Sequence, residues 1–126
     1  MKPNSIRQHP AFSHLEACIS ATNAPRGAHT MLRVDADDAR LQLTHNLNGG
    51  ASLNMPLLGL TVSVKDLFDV AGSPTLAGST ILKGAPAAQF DCPAVARMNQ
   101  AGGAFLGRTN MVEFAFSGIG NNPHYG

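Results

Sequence analysis

The sequence is short of charge, of aromatic rings and of cysteine, and each shortage excludes something. Only 13% of the 126 residues are charged and the net charge is +1, about half the usual charged fraction. The lysines and arginines are scattered, which leaves no basic footprint, and no nucleic-acid contact is expected. Tryptophan is absent, tyrosine occurs once and phenylalanine six times. Cys18 and Cys92 lie far apart with no Cys-x-x-Cys, so free thiols in a reducing compartment are expected. No run of about 18 apolar residues occurs, and Met1-Lys2-Pro3-Asn4 does not open a signal peptide. The expectation is a soluble cytoplasmic protein without a membrane span. His9, His14, His29, His45 and His124 show neither HxxxH nor HExxH spacing, so neither a metal nor a cofactor is expected.

What is present is apolar and small. Hydrophobic residues make up 44% of the chain, with 13 glycines. The length of one ordinary domain suffices to bury a core. Low charge with many small residues suits a chain whose faces are covered by further protein, a piece of something larger.

Periodicity places the elements. Phe12, Leu15 and Ile19 recur at helical spacing after Pro10, predicting a helix over 10–21 that ends by Asn23 to Gly27. A second helix fits 35–46, with Asp35 as cap and Ala36, Ala39 and Leu43 on one side. Asn46 to Asn54 reads as a polar linker. From Leu58 the period becomes two: Leu60, Val62 and Val64 alternate with Thr61, Ser63 and Lys65. Gly72 to Gly84 reads as loop. Asp91 is expected to cap a helix over 91–101 whose apolar side is Val95 and Met98 and which Gly102-Gly103 stops. Ala104 to Leu106 is a short strand ending at Gly107, Asn110 and Glu113 form a capping-box pattern for a helix Met111 to Phe116, and the tail 117–126 is irregular. Strand, helix, strand in that order implies a parallel βαβ crossover.

Lys65 is the first candidate for chemistry. Most lysines are solvated, but one held inside can act as a base. Bringing a lysine amine from about 10.4 to near neutrality takes roughly 4 kcal/mol of desolvation or like-charge repulsion. Burial at the end of a core strand supplies that, so Lys65 is expected to be largely buried there. Asp66 and Asp69 flank it, but Asp66 falls on the opposite face and both suit turn-holding roles. Gly118-Ile119-Gly120 lacks the strand and third glycine of a phosphate loop. Ser117, in Phe-Ser-Gly, is not a Gly-x-Ser-x-Gly elbow.

A resemblance goes further. Pro56-Leu-Leu-Gly-Leu-Thr-Val-Ser-Val-Lys-Asp, continuing to Gly72, resembles the G-[IV]-P-[VI]-x-[VI]-K-D pattern around the lysine of the amidase-signature family. Thr75-Leu-Ala-Gly-Ser79 is similar to its T-x-x-G-S, and Asp91-Cys-Pro-Ala-Val-Ala-Arg97 to its D-A-x-[VI]-x-R helix. Ala101 to Ala115 resembles A-G-A-x-[VIL]-x-G-[KR]-T-[NS]-x-x-E-F-A. Four blocks in order over 56–126 make the signal specific.

The resemblance implies an α/β fold, the N-terminal portion of a mixed, largely parallel sheet flanked by helices. Residues 1–126 would be a partial amidase domain: a helical leader over 1–55, then over 56–126 the lysine strand, crossover helix, second strand and cleft loop. It implies that Lys65 is the base of a Ser–cis-Ser–Lys triad hydrolysing a small-molecule amide. It also implies a weaker substrate-binding role for Ser117 and Gly118, in a segment like the one beside the family's cleft. The departure is plain. Of the eight serines, Ser5, Ser13, Ser20, Ser52, Ser63, Ser73, Ser79 and Ser117, none lies in the family's Gly-Gly-Ser-Ser context. The alternative is a truncated, non-catalytic protein that keeps this part of the fold as a partner or scaffold.

Overall fold

The structure, a computed structural model, describes residues 8–49 and 55–126. Most of the polar linker expected at 46–54 lies outside them. Its first residues do not belong to a linker at all but to a helix.

Helix α1, Pro10–Asn23, begins with His9 as cap, its Nδ1 accepting from the Ala11 N–H at 3.2 Å, and with proline in the first turn. Phe12, Leu15 and Ile19 form its buried stripe. Helix α2, Ala36–Asn48, buries Ala39 and Leu43 on one side and leaves Leu41 outside. Asn46, one turn from its end, is buried because its amide donates to the Gly102 carbonyl at 3.1 Å. Asp35 stands at the cap position but makes no cap hydrogen bond. Its carboxylate pairs with Arg33, whose cationic side chain is the stronger donor.

Between the two helices lies a strand that periodicity did not reveal. Strand β1, Met31–Val34, has only four residues and is half-buried, so no alternation shows. The leader is therefore not purely helical. Strands β2, Thr61–Lys65, and β3, Ala104–Thr109, complete a three-stranded sheet of order β1-β3-β2. β2 runs parallel to β3 and β1 antiparallel to it. Helix α3, Pro93–Gln100, forms the crossover between β2 and β3.

Strand β3 is longer than the sequence pattern suggests. It passes through Gly107 to Thr109 because β1 pairs with that second half. Gly107 is required there: a Cβ would lie 2.1 Å from the Arg33 carbonyl oxygen. The central strand also carries the core, with Ala104 and Leu106 buried beneath Phe12, Leu15, Ile19, Ala39 and Leu43. Thus α1 and α2 cover the sheet through β3. Val95 of α3 is buried and Met98 half-buried away from this cluster, and both line a groove with β2. Both cysteines are free.

Two further expected caps are absent. Cys92, not Asp91, stands before α3, and no side chain caps that helix. Asp91 instead ties chain segments together, accepting from the Ala71 N–H at 2.8 Å and from the Asn99 amide at 2.8 Å. The capping box at Asn110 and Glu113 does not form either. Residues 113–115 make a single 3-10 turn, with Phe114 and Ala115 at φ 52° and 58°; the Asn110 amide donates instead to the His29 and Gly126 carbonyls, and Glu113 accepts from Ser79.

Candidate active site

Lys65 ends strand β2, in register with Thr109 of β3. Its neighbours alternate as the period of two requires: Val64 and Asp66 are buried, Ser63 and Lys65 exposed. The position at a strand end agrees with expectation, but the burial does not. β2 is the edge strand of this sheet, and nothing among the described residues covers the Lys65 face. A lysine there extends into water, where its charge is best solvated.

Beside Lys65 lies a groove of about 170 Å³ between β2 and α3. Val62, Val64, Phe68, Val95 and Met98 make it mostly apolar, with Lys65 and Ser63 on its wall. Ser117 and Gly118 do not reach it. Both lie on the exposed loop after the 3-10 turn, and the Ser117 hydroxyl accepts locally from the Ile119 N–H at 3.3 Å.

Behind Lys65 the motif residues form a polar frame. Asp66 is 2% exposed, and its carboxylate accepts from the Gly78 N–H at 3.0 Å. The Asp66 carbonyl accepts from the Ala77 N–H at 2.8 Å. Asp69 accepts from the Thr75 hydroxyl at 2.6 Å. The two acids therefore hold the Thr75–Ser79 segment, as the turn-holding reading expects. Asn122 closes Gly78 from the other side, donating to the carbonyls of Gly78 and Met111 at 2.8 and 2.6 Å. Ser79, fully buried, donates to Glu113 at 2.6 Å, and His124 meets the same carboxylate oxygen at 2.9 Å. The Ser79 hydroxyl first, then His124, holds the Glu113 carboxyl below the usual carboxylate range.

Arg108 lies under this frame, 2% exposed and 3.8 Å from Asp66. Its burial lowers the affinity of the guanidinium for its proton, and Asp66 opposes that shift. Arg108, Glu113 and Asn122 were all present in the sequence, but nothing local marked their roles. Each acts on a partner more than ten residues away. Among the described residues, no three His, Cys, Asp or Glu side chains converge at metal-ligand distance.

A parallel β-α-β unit with a strand-end lysine beside an apolar groove places this chain among α/β folds with a mixed sheet. Residues 13–126 match the amidase family profile, and the chain belongs to that family. It is 50% identical over 124 residues to the 2-amino-5-chloromuconic acid deaminase of Comamonas testosteroni, covering 98% of this chain and 24% of that protein. It is 38% identical over 110 residues to the 1-carboxybiuret hydrolase subunit AtzE of Pseudomonas sp. strain ADP, covering 87% and 24%. Among solved structures, an inhibitor-bound vestigial complex described as revealing the origins of an s-triazine catabolic enzyme superposes with a TM-score of 0.81. That match has 34% identity and covers 92% of this chain and 26% of the other. The chain thus spans about a quarter of the length of these relatives.

Proposed function

We propose that this chain contributes Lys65 as the general base of a cytoplasmic amidase that hydrolyses a C–N bond of a small-molecule amide. The observation that carries this reading is the placement of Lys65. It ends a parallel strand beside an apolar groove, with the motif's aspartate turned inward as an anchor. The complete domain acts through a Ser–cis-Ser–Lys triad whose serines are outside these 126 residues. Segments carrying them would cover the exposed lysine face, desolvate the amine and bring the bridging serine to it. The neutral lysine then takes the nucleophile's proton through that serine, and the nucleophile attacks the amide carbonyl. The C–N bond breaks as the same relay returns the proton to the departing amine, and water releases the acyl group as the acid. Lysine suits the relay because burial can neutralise it, whereas an arginine stays charged.

The test joins this chain to the remaining three-quarters of the 50% identical Comamonas deaminase and follows turnover of that enzyme's substrate. Lys65→Ala is expected to lower kcat by about 10²- to 10⁴-fold, and Lys65→Arg nearly as much, with the fold retained. Substantial turnover by the arginine form rules out the base role. A non-catalytic scaffold is the second reading, favoured by the exposure of Lys65 and of neighbouring Leu67 and Phe68. It gains if the chimera folds and binds but its rate ignores Lys65.

A further inference from the structure

The buried pair behind the lysine is chemically expensive for what it does as packing. A guanidinium taken out of water is costly, and a carboxylate 3.8 Å away does not by itself repay the loss. The Arg108 Nε has no hydrogen-bond acceptor. Compensation comes from backbone: Arg108 donates to the carbonyls of Phe68 and, at 3.3 Å, of Pro74. Those two carbonyls lie in the loop that leaves β2 directly after Lys65. Asp66 binds the far end of the same loop through the N–H groups of Gly78 and Ala77. Arg108 itself sits on the central strand, in register with Val64, the residue before Lys65. Arg108 thus joins the strand before the lysine, which its backbone pairs with, to the loop after it, which its side chain holds. What the pair adds beyond packing is fixed geometry: Arg108 holds two backbone carbonyls of this loop and Asp66 two of its N–H groups.

We propose that Arg108 is a positioning residue of the amidase reaction, clamping with Asp66 the backbone on both sides of Lys65 so that its amine meets the bridging serine in one orientation. Arg108 touches no reacting atom, and the proposal rests on the reading of Lys65 as base.

Two variants of the chimera test it. Arg108→Lys keeps the charge but cannot span both carbonyls. The double variant Asp66→Asn with Arg108→Met leaves no buried charge unpaired and retains an acceptor for the Gly78 N–H, so it folds even where a single change would not. Both are expected to lose kcat by on the order of 10- to 100-fold, as misplacement of a catalytic group does, with KM moving less than about threefold. A folded variant with unchanged kcat, altered only in Tm, overturns the positioning role. A Lys65→Ala chimera that keeps its activity overturns the base reading instead, so the two failures are distinguishable.

Discussion

Glu113 shows how single residues hold the frame behind the lysine. Its carboxyl is kept below the usual glutamate range by the Ser79 hydroxyl and then by His124. A carboxyl depressed on folding stabilises above its unfolded value, about 4.3, and that stabilisation is lost as pH falls through the lower folded value. The tail carrying His124 should therefore loosen only below about pH 4. Amide exchange at Asn122 to Tyr125 would follow it, and Glu113→Gln should flatten the dependence. An acid profile unchanged by Glu113→Gln defeats the assignment. Gly78 is the second residue to test. Its φ is +66°, and a Cβ would come within 2.8 Å of the Asn122 amide and the Met111 carbonyl. Gly78→Ala should cost about 1–3 kcal/mol, read from the urea midpoint. None of this was visible locally, because Ser79 and Glu113 are 34 positions apart in sequence.

At the scale of elements, helix α3 was legible and its tether was not. Pro93, the apolar positions and Gly102-Gly103 mark the helix correctly, since such signals act within a turn or two. Asp91 looked like a cap because capping residues are recognised by type and position alone. In the fold its carboxylate instead bridges Ala71 and Asn99. The distinction is testable. Serine is as good a cap as aspartate but is too short to bridge. Asp91→Ser should therefore destabilise as much as Asp91→Ala, by about 1 kcal/mol in chemical unfolding. A serine variant as stable as the native chain would restore the cap.

The whole molecule exposes much that a closed domain would hide. Phe116 is 95% and Ile119 84% exposed, with Ile81 and Phe90 also largely outside. Among the described residues β2 remains an unpaired edge, although parallel sheets are normally covered. By itself the 126-residue polypeptide is expected to bind a hydrophobic dye strongly, unfold over a broad range and self-associate above micromolar concentration. Amide hydrolysis by it should not exceed that of a free amine, since a base needs a nucleophile within reach. A sharp, reversible, monomeric transition would defeat the first expectation. Hydrolysis abolished by Lys65→Ala in this polypeptide would defeat the second.

The amino-acid sequence by itself determined helices over 10–21 and 91–101, found at Pro10–Asn23 and Pro93–Gln100, the lysine strand, its parallel pairing through a crossover, and the family. These rest on periodicity, turn residues and ordered motifs, all expressed over a few neighbouring positions. The tertiary structure alone decided that Met31–Val34 joins the sheet, that Asp91 and Glu113 serve as tethers, and that Lys65 meets solvent in this part of the fold. Those outcomes depend on which distant groups the chain path brings within hydrogen-bond reach and which faces remain uncovered. A side chain's type sets what it can bind; only the packed fold sets what it meets.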